Sequence, residues 1–144
     1  MTNQDAPTWA DKLLAAVIVA VAVYAGGLVI IGQFVGDKIF GLVGFGPDSA
    51  GIDGGEALDY TTFIFGVLGA VILGWMVLAF IVARGPLRRR EPWAWTAVAA
   101  SIGVWFVVDT GFSLIVGQVE HAVFNVGFLV PIGIALAALR RELD

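Results

Sequence analysis

The run Trp105-Phe-Val-Val-Asp109-Thr-Gly-Phe-Ser113-Leu-Ile-Val-Gly117-Gln-Val-Glu120-His121-Ala-Val-Phe-Asn125 sets a carboxylate, an amide and the chain's single histidine inside two consecutive apolar segments. Burying an aspartate at the centre of a membrane helix costs roughly 2.5–3.5 kcal/mol even on lenient insertion scales, so Asp109 needs a partner or a cavity. If Gly117 and Gln118 form the tip of a tight hairpin, positions equidistant from the tip face each other. Asp109 then lies level with Asn125, and Ser113 level with His121.

Working outward, the 144 residues are 59% hydrophobic and 14% charged, with a mean hydropathy of +0.92, a composition that calls for an integral membrane protein. The chain has no cysteine, which excludes disulfides, thiol catalysis, cysteine-ligated iron–sulfur clusters and cysteine-based zinc sites within it. A single histidine excludes a bis-histidine haem. The net charge of −4 says little about partners, because in a membrane protein charges are sorted by side, and nothing in the sequence supports nucleic-acid binding.

Four apolar runs of spanning length follow one another, near 13–36, 61–83, 93–117 and 119–139. The reading is an all-α membrane protein, a single four-helix transmembrane bundle. Trp9, Trp93 and Trp95 mark interfaces, Pro131 breaks the fourth run, and the 84–92 segment, with four arginines and two prolines, breaks the second from the third. Residues 37–60 form a Gly-rich acidic loop between helices 1 and 2, holding Asp37, Asp48, Asp53, Glu56 and Asp59 against Lys38.

Basic residues sort by side. Lys12, Arg84, Arg88, Arg89, Arg90, Arg140 and Arg141 fall on the faces with both termini and the 84–92 loop, against Lys38 opposite. The positive-inside rule then puts both termini in the cytoplasm of a multi-pass cell-membrane protein, with the acidic loop and the Gln118 turn outside.

Within the helices, Ser101, Trp105, Asp109, Ser113 and Gly117 recur every four residues and are expected to point into the bundle. The facing stripe is His121, Asn125, Leu129, Gly133 and Ala137. On the second helix Thr62, Gly66, Ala70 and Gly74 form a small-residue stripe that lets another helix approach closely. Asp109 and Asn125 then read either as a clamp on the hairpin, with a neutral Asp109 as donor, or as the floor of an outward cavity. Ser113 and His121 would share that cavity, with Gln33, Asp59 and Thr62 contributed by other helices.

No cofactor is expected, and His121 as a lone metal or pigment ligand is the one exception the residues allow. Val43-Gly-Phe-Gly46 echoes a potassium-channel filter, but Leu42 and Pro47 depart from that pattern and no pore helix fits before it. The oxygen ligands over 48–56 lack the alternation of a calcium loop. No triad, zincin helix or phosphate-binding loop is present, so the chain leans away from enzymes.

From Phe63 to Pro131 the pattern resembles small four-span bacterial inner-membrane proteins. It includes Gly74-Trp75, Glu91-Pro-Trp93-Ala-Trp95, Trp105-Phe-Val-Val-Asp109, Ser113, Gly117 and Asn125. That resemblance covers about half the chain and implies a fold type without an activity. A four-span bundle with an intramembrane carboxylate is also distantly similar to the sterol-isomerase and sigma-2 receptor-like group, whose motif residues find no one-to-one match here. Two functions follow as expectations. One is a non-enzymatic membrane protein that works by helix association, as a homo-oligomer or an accessory subunit of a membrane complex. The other is a small-ligand or ion binding or transport protein using the pocket around Asp109 and Asn125.

Overall fold

The computed structural model describes residues 7–30 and 56–143, and these form four helices. They are α1 (Trp9–Ile30), α2 (Glu56–Val82), α3 (Pro92–Ile115) and α4 (Val119–Arg141), with a π turn, Ala83–Leu87, closing α2. Gln33, the 43–46 motif and most of the acidic segment lie outside the described residues. All four helices are long and apolar enough to cross a membrane. The shortest, at 22 residues, reaches roughly 33 Å against a hydrocarbon core of about 30 Å. Large apolar side chains such as Val71, Leu78, Val107, Phe112, Val123 and Val130 point outward, which water would penalise and lipid would not.

Helix starts are set by local chemistry. Thr8 and Asp11 form a reciprocal cap: the Asp11 amide donates to Thr8 Oγ1 at 3.4 Å and the Thr8 amide to Asp11 Oδ2 at 2.8 Å. This starts α1 at Trp9, a turn before the apolar run. Pro92 opens α3, where its missing N–H leaves no bond unmade. The link between α3 and α4 is tight because Gly117 takes the left-handed conformation (φ +80°). The Gln118 amide then bonds the Ser113 carbonyl at 2.7 Å, and the Gly117 amide bonds that of Leu114 at 3.2 Å.

Pro131 does not break α4, which runs through it to Arg141. Proline removes only one backbone donor, and membrane helices carry such losses where neighbours support the freed carbonyl. Likewise Pro86 loosens the end of α2 into the π turn before the chain reverses at Arg90, whose φ of +59° is left-handed.

Helix α1 lies between α2 and α4, and α3 packs on α4. α2 and α3 touch lightly, with the Trp75 and Trp105 rings 6.2 Å apart between them. The core runs through Leu14, Ile18, Met76, Val98, Ile102, Ile132, Leu136 and Leu139. The closest approach of α1 to α2 is at Gly69, where a Cβ would stand 2.6 Å from the Ala25 carbonyl oxygen and 2.8 Å from Leu28 Cβ. Trp93 is exposed, as an interfacial tryptophan should be. Trp95 instead turns inward and donates its indole N–H to the Leu136 carbonyl at 2.7 Å, fastening α3 to α4.

At the same end of the bundle as the termini, Arg90 grips Asp11 through two bonds, Nη1 to Oδ1 at 3.0 Å and Nη2 to Oδ2 at 2.9 Å, and also pairs with Glu142. One guanidinium thus ties the start of α1, the α2–α3 turn and the end of α4. Its hydrogen bond to Asp11, strongest among several influences, raises the Arg90 pKa further. Beside it, hydrogen bonds from Arg89 and then Trp93 hold the Glu91 carboxyl below its usual range.

Candidate functional site: the polar cluster of the α3–α4 hairpin

The left-handed Gly117 lets a link of only three residues, 116–118, close the turn, so α3 and α4 run back along each other in a fixed register. That register brings Asp109 to Asn125, whose Nδ2 donates to Asp109 Oδ2 at 2.6 Å. His121 meets the same oxygen through Nε2 at 3.1 Å. Asp109 Oδ2 thus accepts from Asn125 and also meets His121, whose ring nitrogen donates or accepts according to its tautomer.

Asn125 is 2% exposed and spends its second N–H on Thr110 Oγ1 at 3.2 Å. Both hydrogens of this buried amide are therefore satisfied, which an apolar interior demands. Ser113, 3% exposed, does not pair with His121; its hydroxyl donates back to the Asp109 carbonyl at 2.7 Å. That back-bond is the ordinary fate of a serine inside an apolar helix, because the i−4 carbonyl is always in reach. His121 rests against Phe124, ring centroids 6.2 Å apart, and Phe124 stands edge-on to Phe128.

The bonds of Asp109, Thr110 and Asn125 join α3 to α4, and none reaches α2 among the described residues. Thr62 on α2 is half-buried. Thr110 is the residue that sequence reasoning passes over. It adjoins Asp109 and so falls off any four-residue stripe, although the hairpin register itself places it within one position of Asn125.

The side chain of Asp109 is 38% exposed and that of His121 19%. Among the described residues no donor reaches Asp109 Oδ1. Asp109 lies six residues before the end of α3, or about 9 Å by helical rise, so the cluster sits one to two turns inside the hairpin end. This is also the end at which residues 31–55 join α1 to α2. No group of three His, Cys, Asp or Glu that could hold a metal gathers among the described residues.

The clamp makes a clear prediction. Asp109→Leu should lower stability by about 1–3 kcal/mol, because it orphans the buried Asn125 amide. Asp109→Asn should stay close to wild type, since its carbonyl can accept from both Asn125 and His121. Thermal unfolding in mild detergent reads the difference, and a tolerated leucine beside a destabilising asparagine would refute the pairing.

The small-residue stripe of α2 is placed differently from the cluster. Among the described residues a Cβ built on Gly66 or Gly74 meets nothing within 4 Å, and Ala70 between them is exposed, so this part of the stripe faces away from α1, α3 and α4. Comparison with protein-family models, curated proteins and solved structures finds no match to this chain.

Proposed function

We propose that the chain is a non-enzymatic multi-pass membrane protein that works by docking a transmembrane helix of another subunit, in the simplest case a second copy, against α2. The carrying observation is the open space over Gly66 and Gly74 among the described residues, with exposed Ala70 between them. Inside the bundle the chain uses Gly69 for its own close approach, which leaves the neighbouring small positions for an external one. Small residues suit this task because apolar burial gives no drive between helices in lipid, so association depends on close backbone packing and hydrogen bonds. The Asp109 clamp supports the reading by holding the α3–α4 hairpin in a single register. In this reading the basic ends place both termini in the cytoplasm and the hairpin tip outside.

Purification into nanodiscs directly from native membranes, followed by mass measurement, tests the docking. Wild type is expected as an assembly, and Gly66→Leu/Gly74→Leu as a monomer whose melting is not lowered, since a Cβ at either position meets no neighbour among the described residues. A wild-type monomer without partners would sink the reading.

A second reading rests on Asp109. A carboxylate 38% exposed within an apolar helix, with one oxygen lacking a donor among the described residues, suits a small cationic or hydroxylated ligand, or an ion. Thermal shifts across amine, sterol and metal panels test it, because a ligand of the folded state raises the melting temperature by mass action. Equal shifts in wild type and Asp109→Asn would count against this site.

A further inference from the structure

At the opposite end of the bundle from the clamp, a half-open cavity of about 230 Å³ lies between the start of α1 and the π turn. Pro7, Asp11, Lys12, Ala15, Ala83, Arg84 and Arg88 line it. Among the described residues, three cations stand against one carboxylate on its walls. The carboxylate is already committed. Asp11 Oδ1 accepts from Arg90, and Oδ2 accepts from Arg90 and from the Thr8 amide and hydroxyl. Arg84 is held with its guanidinium over the Phe80 ring, 5.5 Å from the centroid.

Size and surroundings narrow the occupant. The cavity is below the roughly 300–1,000 Å³ of sites that enclose a drug-sized molecule, and it suits a small anionic group instead. Lys12, Ala15 and Val19 share one face of α1 at 3- and 4-residue spacing, and Val77 and Ile81 share one face near the end of α2, just before Arg84 in the π turn and Arg88 after it. Val19, Ile81 and Val77 are exposed and apolar, so each cationic wall continues into a surface fit for an acyl chain. We propose that this cavity seats the phosphate headgroup of an anionic membrane lipid, with Lys12, Arg84 and Arg88 on the phosphate and the tails running along α1 and α2.

Native mass spectrometry of the full chain, released from nanodiscs containing equal phosphatidylglycerol and phosphatidylcholine, reads the site. Wild type is expected to retain phosphatidylglycerol selectively. Lys12→Gln/Arg84→Gln should weaken that retention about 30-fold, and Arg84→Gln alone about 5-fold, while melting in pure phosphatidylcholine stays unchanged. Arg140→Gln/Arg141→Gln removes the same charge from side chains that do not line the cavity, and should leave retention nearly as in wild type. Equal losses in both double variants, or no preference over phosphatidylcholine, would overturn the cavity as the site. Protection by soluble glycerol phosphate as strong as that by the lipid would show a phosphate site filled from solution and overturn the lipid assignment.

Discussion

Gly69→Ala should destabilise the bundle by about 1–3 kcal/mol, and Gly69→Val by more, in contrast to Gly66→Ala and Gly74→Ala, which should be neutral or slightly stabilising. At Gly69 the added methyl would meet the Ala25 carbonyl oxygen at 2.6 Å, Leu28 Cβ at 2.8 Å and Val29 Cγ2 at 3.0 Å. The nearest of these is backbone and the next is a Cβ, so neither can rotate aside. The helices must separate, and separation loosens the Leu28, Tyr24 and Phe65 contacts at the same level. At Gly66 and Gly74 the methyl enters open space and gains only the helix preference of alanine over glycine. Unfolding in mixed detergent micelles would measure all three. Equal effects at the three glycines would mean that α1 does not close on α2 at Gly69.

This contrast also shows what the sequence conceals. The small-residue stripe of α2, Thr62, Gly66, Ala70 and Gly74, takes every fourth residue, and each such step turns about 40° beyond a full circle. The face that turns into the core steps by fours and threes through Phe65, Gly69, Ile72, Met76 and Ala79, and so holds its direction. The same drift affects α3 and α4. Ser113 is buried but Ser101, on the same stripe, is exposed; Asn125 is buried but Gly133 and Ala137 face out. α4 buries Ala122, Asn125, Ile132, Ala135, Leu136 and Leu139 instead.

What was legible came from composition and from local constraint. Apolar length is enough to find four helices, and a glycine at the tip of a short hairpin is enough to pair Asp109 with Asn125. His121, expected level with Ser113, meets Asp109 one turn earlier on α3. An imidazole is long enough to reach diagonally to the carboxylate, and Ser113 is occupied by its own helix. The Arg90 network was hidden for a different reason: its partners stand 79 residues away on α1 and beyond the end of α4, and no periodicity links them.

Arg90→Ala should lower stability by about 2–4 kcal/mol, through loss of a charge rather than loss of packing. Asp11 is only 7% exposed at its side chain, and removing the guanidinium leaves a nearly buried carboxylate with Thr8 as its remaining hydrogen-bond partner. Full burial of both partners would put the loss higher, but Arg90 is 24% exposed and water can reach part of the gap. Arg90→Lys should fall between, since an ammonium keeps the charge without the two parallel bonds to Asp11. Arg90→Gly carries a separable effect. The native φ of +59° costs an L-residue roughly 1–2 kcal/mol and glycine almost nothing, so glycine should be less damaging than alanine by about 1 kcal/mol. A double-mutant cycle with Asp11→Asn isolates the pair: strongly coupled losses are expected because each partner exists to satisfy the other. Additive losses would mean that Arg90 acts through Glu142 alone, and equal stability of the glycine and alanine variants would mean that the turn does not need a left-handed residue there.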